Sequence, residues 1–237
     1  PQYGVTDPLS SFFLIILSLS AVAVLIYAKG YIKPYLGRKS PAQISLHYCG
    51  LGILYLSMLL VVTLRDGFSF LFAWEVMTLS SFVLMLFDAE RREVRRAALS
   101  YLILMHVGFL FLLAGFVTLY ASGLPASFDA LALYGEQGGN IIPLFIVFLI
   151  GFGMKAGIFP LHVWLPEAHP AAPAHISAFM SGVMIKTGVY GVMRVVSCFD
   201  SHLFAIGLIV LCIGAVTGLW GVILAALQND VKKLLAY

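Results

Sequence analysis

Two lysines stand in the middle of long apolar runs, and any fold for this chain has to accommodate them. Residues 151–194 read GFGMKAGIFPLHVWLPEAHPAAPAHISAFMSGVMIKTGVYGVMR. Lys155 lies inside an apolar helical run that breaks at Pro160. Further prolines follow at 166, 170 and 173, with His162, Glu167, His169 and His175 threaded among them. A second apolar run then carries Lys186 near its centre. A charged side chain at the middle of a bilayer helix costs about 2.5–3.5 kcal/mol on insertion scales. Such residues face a bundle interior or a watery cavity and mark ion or proton paths. The alternative is a lysine whose stem lets its head group reach the interface, which suits a helix end better than the middle of a run.

The setting of these lysines is a membrane. The chain is 61% hydrophobic and 11% charged, against roughly 25% charged in a soluble domain. Seven apolar runs are long enough to cross a hydrocarbon core of about 30 Å at about 1.5 Å per residue. They cover about 8–33, 43–64, 68–87, 94–121, 141–159, a sixth run around Lys186, and 202–227. Asp7 and Pro8 form a plausible cap and first-turn pair for the first run. The third run contains FAWEVMTLSSF and puts Glu75 inside the membrane, and the fourth carries His106 near its centre. A polar segment, GLPASFDALALYGEQGGN, separates the fourth run from the fifth.

The basic residues check this span count. Lys29, Lys33, Arg38, Lys39, Arg91, Arg92, Arg95, Arg96, Lys232 and Lys233 all follow odd-numbered runs and so fall on one side. Arg65 and Arg194 fall on the other, and Lys155 and Lys186 complete the 14 basic residues. One helix more or fewer would scramble that asymmetry. By the positive-inside rule the basic side is expected to be the cytoplasmic side of the cell's inner (plasma) membrane.

Residues 141–159 supply only about 28 Å of helix from the outer side. The segment PLHVWLPEAH must then finish the crossing or lie near the inner face. Irregular backbone at membrane depth survives where protein or a watery cavity satisfies it, and transporters place ion sites at such broken helices. An ordinary proline-rich loop is the other reading.

Glu75, Lys155 and Lys186 are therefore the expected intramembrane charges, with His106 as a group that can be neutral. Burial favours the neutral form of a lysine and of a carboxylate, while pairing favours both charged forms. A change in the Glu75–Lys155 separation would thus move a proton on or off the lysine. Arginine could not do this, because it does not deprotonate in proteins. A static ion pair tying helices together is the competing reading. His162, just after the break, is a further proton-carrier candidate. His169 and His175 read as satisfied loop or helix-end residues, and His106 as an extension of the relay or an interface hydrogen bond. The spacing of His162, Glu167, His169 and His175 matches no zinc template. Cys49, Cys198 and Cys212 stand singly, so neither a disulfide framework nor an iron–sulfur cluster is supported. No nucleotide loop or haem ligand pair is visible, so no cofactor, metal or nucleic acid is expected. Glycines 153 and 157, and 214 and 218, have the small-xxx-small spacing of close helix packing. The chain begins at Pro1 with no signal peptide in view and stops in the basic amphipathic stretch NDVKKLLAY, and it reads as an internal piece of a longer protein.

At residues 151–194 the chain closely resembles the antiporter-like, proton-pumping membrane subunits. These are the long membrane subunits of respiratory complex I, subunits of multi-subunit sodium/proton antiporters, and hydrogenase-linked subunits. FAWEVMTLSS resembles the family's glutamate-bearing helix, and LQNDVKKLLAY its later amphipathic segment. The wording PEAHPAAPAHISAFMSGVMIKTG looks closest to the branch of hydrogenase-4 component B and formate hydrogenlyase subunit 3. The resemblance implies that Glu75 is the essential glutamate, Lys155 the broken-helix lysine and Lys186 the following central lysine. It also implies an all-α membrane fold of about fourteen helices in two inverted five-helix repeats. Residues 1–237 would form a single transmembrane domain of about seven helices, one broken, holding the first repeat and lacking most of the second. Its implied function is proton translocation in a redox-driven complex. Other membrane subunits and a peripheral redox arm are then its partners, and it is itself a non-redox subunit of an oxidoreductase. A cation/proton antiporter subunit shares every buried charge and is the alternative. A seven-helix receptor or a structural subunit is a third class, disfavoured by the midplane charges.

Overall fold

The spans are built from helices whose ends the sequence punctuates. In the computed structural model, residues 7–199 and 202–237 are described. Helix α1, Pro8–Ile32, starts with Pro8 in its first turn, and the Asp7 side chain accepts the backbone N–H of Ser10 at 2.8 Å. This is the expected cap pair. Helix α2, Pro41–Thr63, begins with a reciprocal capping box between Ser40 and Gln43, which satisfies two amide donors the helix cannot satisfy itself. Asp66 caps α3, Gly67–Met85, and α4 runs Arg92–Ala121. The polar segment after α4 holds a short helix, α5, Ala130–Glu136.

The fifth crossing is broken, though not where proline alone would break it. Helix α6 spans Ile141–Ala156 and ends at Gly157, whose φ of 73° is left-handed. Glycine takes that conformation without a Cβ penalty, so it ends the helix before Pro160 can. The N–H groups of Gly157 and Ile158 both donate to the Gly153 carbonyl. Glycines 153 and 157 therefore terminate a helix, which corrects the expectation that they pack helices together. The chain resumes as a 3-10 turn, Leu161–Trp164, and continues into α7, Leu165–Ala171. The groups freed by the break find partners. The Phe159 N–H donates to Thr217 Oγ1 at 3.1 Å, and the Trp164 indole N–H donates to the Met154 carbonyl at 2.8 Å.

The return crossing is irregular too. Helix α8, Ala174–Phe179, passes through a π-helical turn at Met180–Met184 into α9, Ile185–Val196. Helix α10, Leu203–Ala226, and the short α11, Val231–Ala236, complete the described chain. Among the described residues, seven segments are long and apolar enough to cross a membrane, with Ile141–Ala171 counted as one and Ala174–Val196 as the next.

An aromatic cluster of Phe70, Trp74, Phe116, Phe128, Phe148 and Phe152 packs α3, α4 and α6 together. Gly188 lets α9 cross close to α6. A Cβ there would lie 2.6 Å from the Ala156 nitrogen and 2.7 Å from the Phe152 oxygen. Helix α10, by contrast, buries only Ile206 among its residues, and nothing lies within 4 Å of a Cβ at Gly214 or Gly218. Their spacing is thus unused for packing among the described residues. At one end of the bundle Lys39 pairs with Glu90 at 2.6 Å and Asp88 at 3.7 Å. At the other end Asp7 pairs with both Arg194 and Arg65, and Arg65 also reaches Asp129 at 2.9 Å.

Candidate functional site

Polar residues recur at every third position along one face of α3, a spacing that aligns side chains on a helix. They are Glu75, Thr78 and Ser81, and each meets a polar group from another helix. Lys155, from the last turn of α6, is 1% exposed. Its Nζ donates to Thr78 Oγ1 at 2.9 Å and lies 4.6 Å from the centre of the Trp74 ring. Thr78 gives its own hydroxyl proton to the Trp74 carbonyl at 3.1 Å, which leaves a lone pair facing the amine. A cation over an aromatic face is stabilised by about 2 kcal/mol or more when desolvated.

Glu75 does not touch Lys155. Its Oε2 is 3.4 Å from His106 Nε2, and its Oε1 is buried with no hydrogen-bond partner among the described residues. The contact ion pair weighed from the sequence is therefore absent among the described residues. Glu75 lies one helical turn along α3 from Thr78, the residue that Lys155 contacts. His106 Nδ1 lies 2.9 Å from the Leu102 carbonyl, so that nitrogen must carry a hydrogen. Nε2 can then approach a carboxylate favourably only with a proton between them, on the imidazole or on the acid. The His106 side chain is 47% exposed and that of Glu75 18% exposed, so this pair lies on the outer face of the bundle, at the middle of the span formed by α4.

From Thr78 the row continues. Ser81 Oγ donates to the Thr78 carbonyl at 2.8 Å and lies 2.6 Å from the hydroxyl of Tyr101, which is fully buried. The Tyr101 ring is 5.1 Å from that of Trp164, which stacks on His169 at 6.3 Å. His169 Nδ1 is 3.1 Å from Ser177 Oγ, while its Nε2 is buried and unpartnered. His169 and His175 are thus buried with one ring nitrogen each left open, rather than satisfied helix-end residues.

Lys186 and His162 stand apart from Lys155. Lys186 is exposed, and its Nζ donates to the Ser181 carbonyl at 2.6 Å. Gly188, two residues on, faces α6; a two-residue step turns side chains by about 200°, so Lys186 points away from Lys155. This corrects the expectation that Lys186 is buried, because a central place along a run does not say which face a side chain occupies. His162 sits in the 3-10 turn, its ring 5.7 Å from Phe159 and 6.0 Å from Tyr237. Its Nδ1 is buried without a partner among the described residues. Thr78, Ser81 and Tyr101 were not anticipated from the sequence. The signal for the first two was present, as polar residues three apart in FAWEVMTLSS.

Residues 65–237 match the family model described as NADH:quinone oxidoreductase/Mrp antiporter, transmembrane. The chain belongs to this family. Glu75, His106, Lys155, His162 and Lys186 all lie within the region matched. The family membership agrees with the resemblance read from residues 151–194. Hydrogenase-4 component B of Escherichia coli K12 is 32% identical over 234 residues, covering 98% of this chain and 34% of that protein. A putative antiporter subunit mnhA2 of Staphylococcus aureus strain Mu50 is 33% identical over 236 residues, covering 98% of this chain and 28% of that protein. An uncharacterized protein of Mycobacterium tuberculosis H37Rv is 38% identical, covering 98% of this chain and 35% of its own length. This chain therefore spans about a third of the length of the relatives it matches.

Among solved structures, a chain of the archaeal membrane-bound sulfane sulfur reductase superposes with a TM-score of 0.82 at 29% identity. That match covers 96% of this chain and 37% of the other. A chain of the Mrp complex from Dietzia sp. DQ12-45-1b superposes at 0.83 and 21% identity, over 98% of this chain and 43% of the other, and shows the shared fold. This member of the NADH:quinone oxidoreductase/Mrp antiporter family is accordingly an antiporter-like, multi-pass membrane subunit. Its relatives are subunits of multi-subunit membrane complexes.

Proposed function

We propose that this chain carries one proton-translocating half of its subunit, with Lys155 as the group that takes up and releases the proton. The observation that carries the reading is the surroundings of Lys155. Its amine is buried beside a helix break, held by one hydroxyl and one aromatic face, with no carboxylate in contact among the described residues. A lysine so placed can exist as ammonium or as amine, and a distant charge decides which. The charge of Glu75 favours the ammonium. A proton shared between Glu75 and His106 changes that charge, so loading one site biases the other.

Ser81, Tyr101 and His169 extend the polar row from Thr78 towards the π-helical turn before Lys186. Lys186, exposed on this chain, would then meet the second half of the subunit, and His162 would serve the pocket beside the break. Residues 1–237 act on this reading as a single transmembrane unit of a two-repeat subunit, with basic loops on the cytoplasmic side of the plasma membrane. The driving reaction is redox chemistry in a peripheral arm, as the kinship with a hydrogenase component and a respiratory reductase suggests.

The equal kinship with a putative antiporter subunit favours a second reading, cation/proton exchange without a redox arm. Vesicles containing the full-length protein in its complex separate the two. Electron transfer should drive proton uptake that is insensitive to sodium, and Glu75→Gln or Lys155→Met should reduce it by about tenfold or more. Uptake that requires a sodium gradient supports exchange, and uptake unaffected by both variants contradicts the relay.

A further inference from the structure

Two buried histidines meet near the basic-loop end of the bundle, on elements that the row from Glu75 to Lys155 does not use. His47 lies in the second turn of α2 and is 3% exposed; His175 is the second residue of α8 and is 1% exposed. Their Nε2 atoms are 2.7 Å apart. At that distance one nitrogen must carry the hydrogen and the other must accept it. The remaining nitrogen of His175, Nδ1, is buried and has no hydrogen-bond partner among the described residues. Structural polar contacts do not usually leave a ring atom open in this way. Two facing imidazoles can hold one excess proton between them, whereas two imidazolium rings would turn N–H against N–H.

We infer that the His47–His175 pair is a proton-uptake site at the basic-loop end of this half, a deepening that rests on the proton-translocating reading above. The transfer balances with water as the proton donor at one end and the proton acceptor at the other. A proton arriving at Nδ1 of His47 lets the Nε2 hydrogen of that ring pass to Nε2 of His175. His175 then gives its Nδ1 hydrogen to a water molecule on the inward side, and the hydrogen bond between the rings is left reversed. The groups around the pair come from several elements. Tyr31 of α1 faces His175 with ring centres 4.8 Å apart, and its hydroxyl lies 3.5 Å from that of Tyr35. Phe87 covers His47 at 4.5 Å and carries the Lys39 ammonium 5.3 Å from its ring centre. Lys39 in turn pairs with Asp88 and Glu90. Charged groups thus lie on the loop side of the pair, and aromatic rings line it.

Two measurements on the full-length protein in its complex test this site. The first is the initial rate of proton uptake into vesicles, normalised to assembled complex, for His47→Gln, His175→Gln and the double variant. Glutamine keeps a hydrogen-bonding amide but cannot take the proton. Each single variant should assemble normally and slow uptake by about tenfold or more, and the double should be no slower than the slower single. Wild-type rates in assembled single variants, or losses that merely track assembly, overturn the site. The second is nitrogen-15 NMR of histidine-labelled protein in lipid. Coupling across the ring–ring hydrogen bond and one shared protonation are expected, both lost in either variant. Two independently titrating rings overturn the pair. If Lys155→Met also leaves uptake unchanged, the proton-translocation reading has failed instead, and the spectra judge the pair alone.

Discussion

Lys155 gives its hydrogen bond to Thr78, 2.9 Å away, and not to Glu75 one turn back along the same helix. A neutral acceptor holds the amine without fixing its charge, whereas a contacting carboxylate would lock it as ammonium. The aromatic face of Trp74, 4.6 Å away, favours the cation without supplying a counter-charge.

Thr78 is therefore expected to tune the site rather than to support the fold. Thr78→Val keeps the shape of the side chain and removes the acceptor. Hydrogen bonds to charged groups contribute about 1.5–3 kcal/mol, so proton uptake should fall by about tenfold with assembly preserved. Thr78→Ser should restore most of the rate. Equal rates for valine and serine would show that the hydroxyl has no part in the relay.

The crossing of α9 over α6 depends on Gly188. A methyl group there would press into the backbone of Ala156 and Phe152, next to the break that presents Lys155. Gly188→Ala should lower the amount of assembled complex severalfold in membrane fractions. Gly182→Ala, where nothing lies within 4 Å of the added carbon, should not. Normal assembly of both would mean that α6 and α9 can separate.

At the opposite end of the bundle from the histidine pair, Asp7 ties α1 to α9. Its hydrogen bonds from Arg194 hold its carboxyl well below the usual carboxylate range. A depressed folded-state pKa contributes stability that is present above the unfolded value, about 3.9, and is lost as pH falls through the folded one. The contribution should thus be constant between about pH 5 and 8. Asp7→Asn should lower stability by about 1.5–3 kcal/mol across that window. The check is thermal unfolding in detergent at several pH values. A deficit of the variant that changes between pH 5 and 8 would place the titration elsewhere.

Sidedness is open to direct labelling. With Cys49, Cys198 and Cys212 replaced, single cysteines at Lys39, Arg92 and Lys233 should react from the cytoplasmic side. Cysteines at Arg65 and Gly138 should react from the outside. Labelling of Arg92 and Lys233 from opposite faces would break the seven-span topology.

Much of the fold was legible because it rests on run length and on charges between runs. Asp7 and Pro8 announced the start of α1, and the apolar runs gave seven crossings. The break was legible as an event but displaced by a few residues, because Gly157 ends the helix before Pro160 does. Lys155 was recognisable as a buried lysine. The exposure of Lys186 was not legible, since its position along the run does not show that it turns away from α6. Thr78, Ser81 and Tyr101 emerge from rotational setting and helix packing, which periodicity hints at and only three-dimensional contact reveals. The same holds for His47 and His175, 128 positions apart in sequence and 2.7 Å apart in space.

The central claim is that Lys155 must lose and regain a proton. Lys155→Arg tests it most directly, because arginine keeps the charge and approximate size but does not deprotonate in proteins. The measurement is proton uptake by vesicles during electron transfer, in the full-length protein within its complex, normalised to assembled complex. The account predicts assembly near that of the wild type with proton uptake abolished. Near-normal uptake with arginine at position 155 would contradict it and leave Lys155 as a fixed charge that holds helices together.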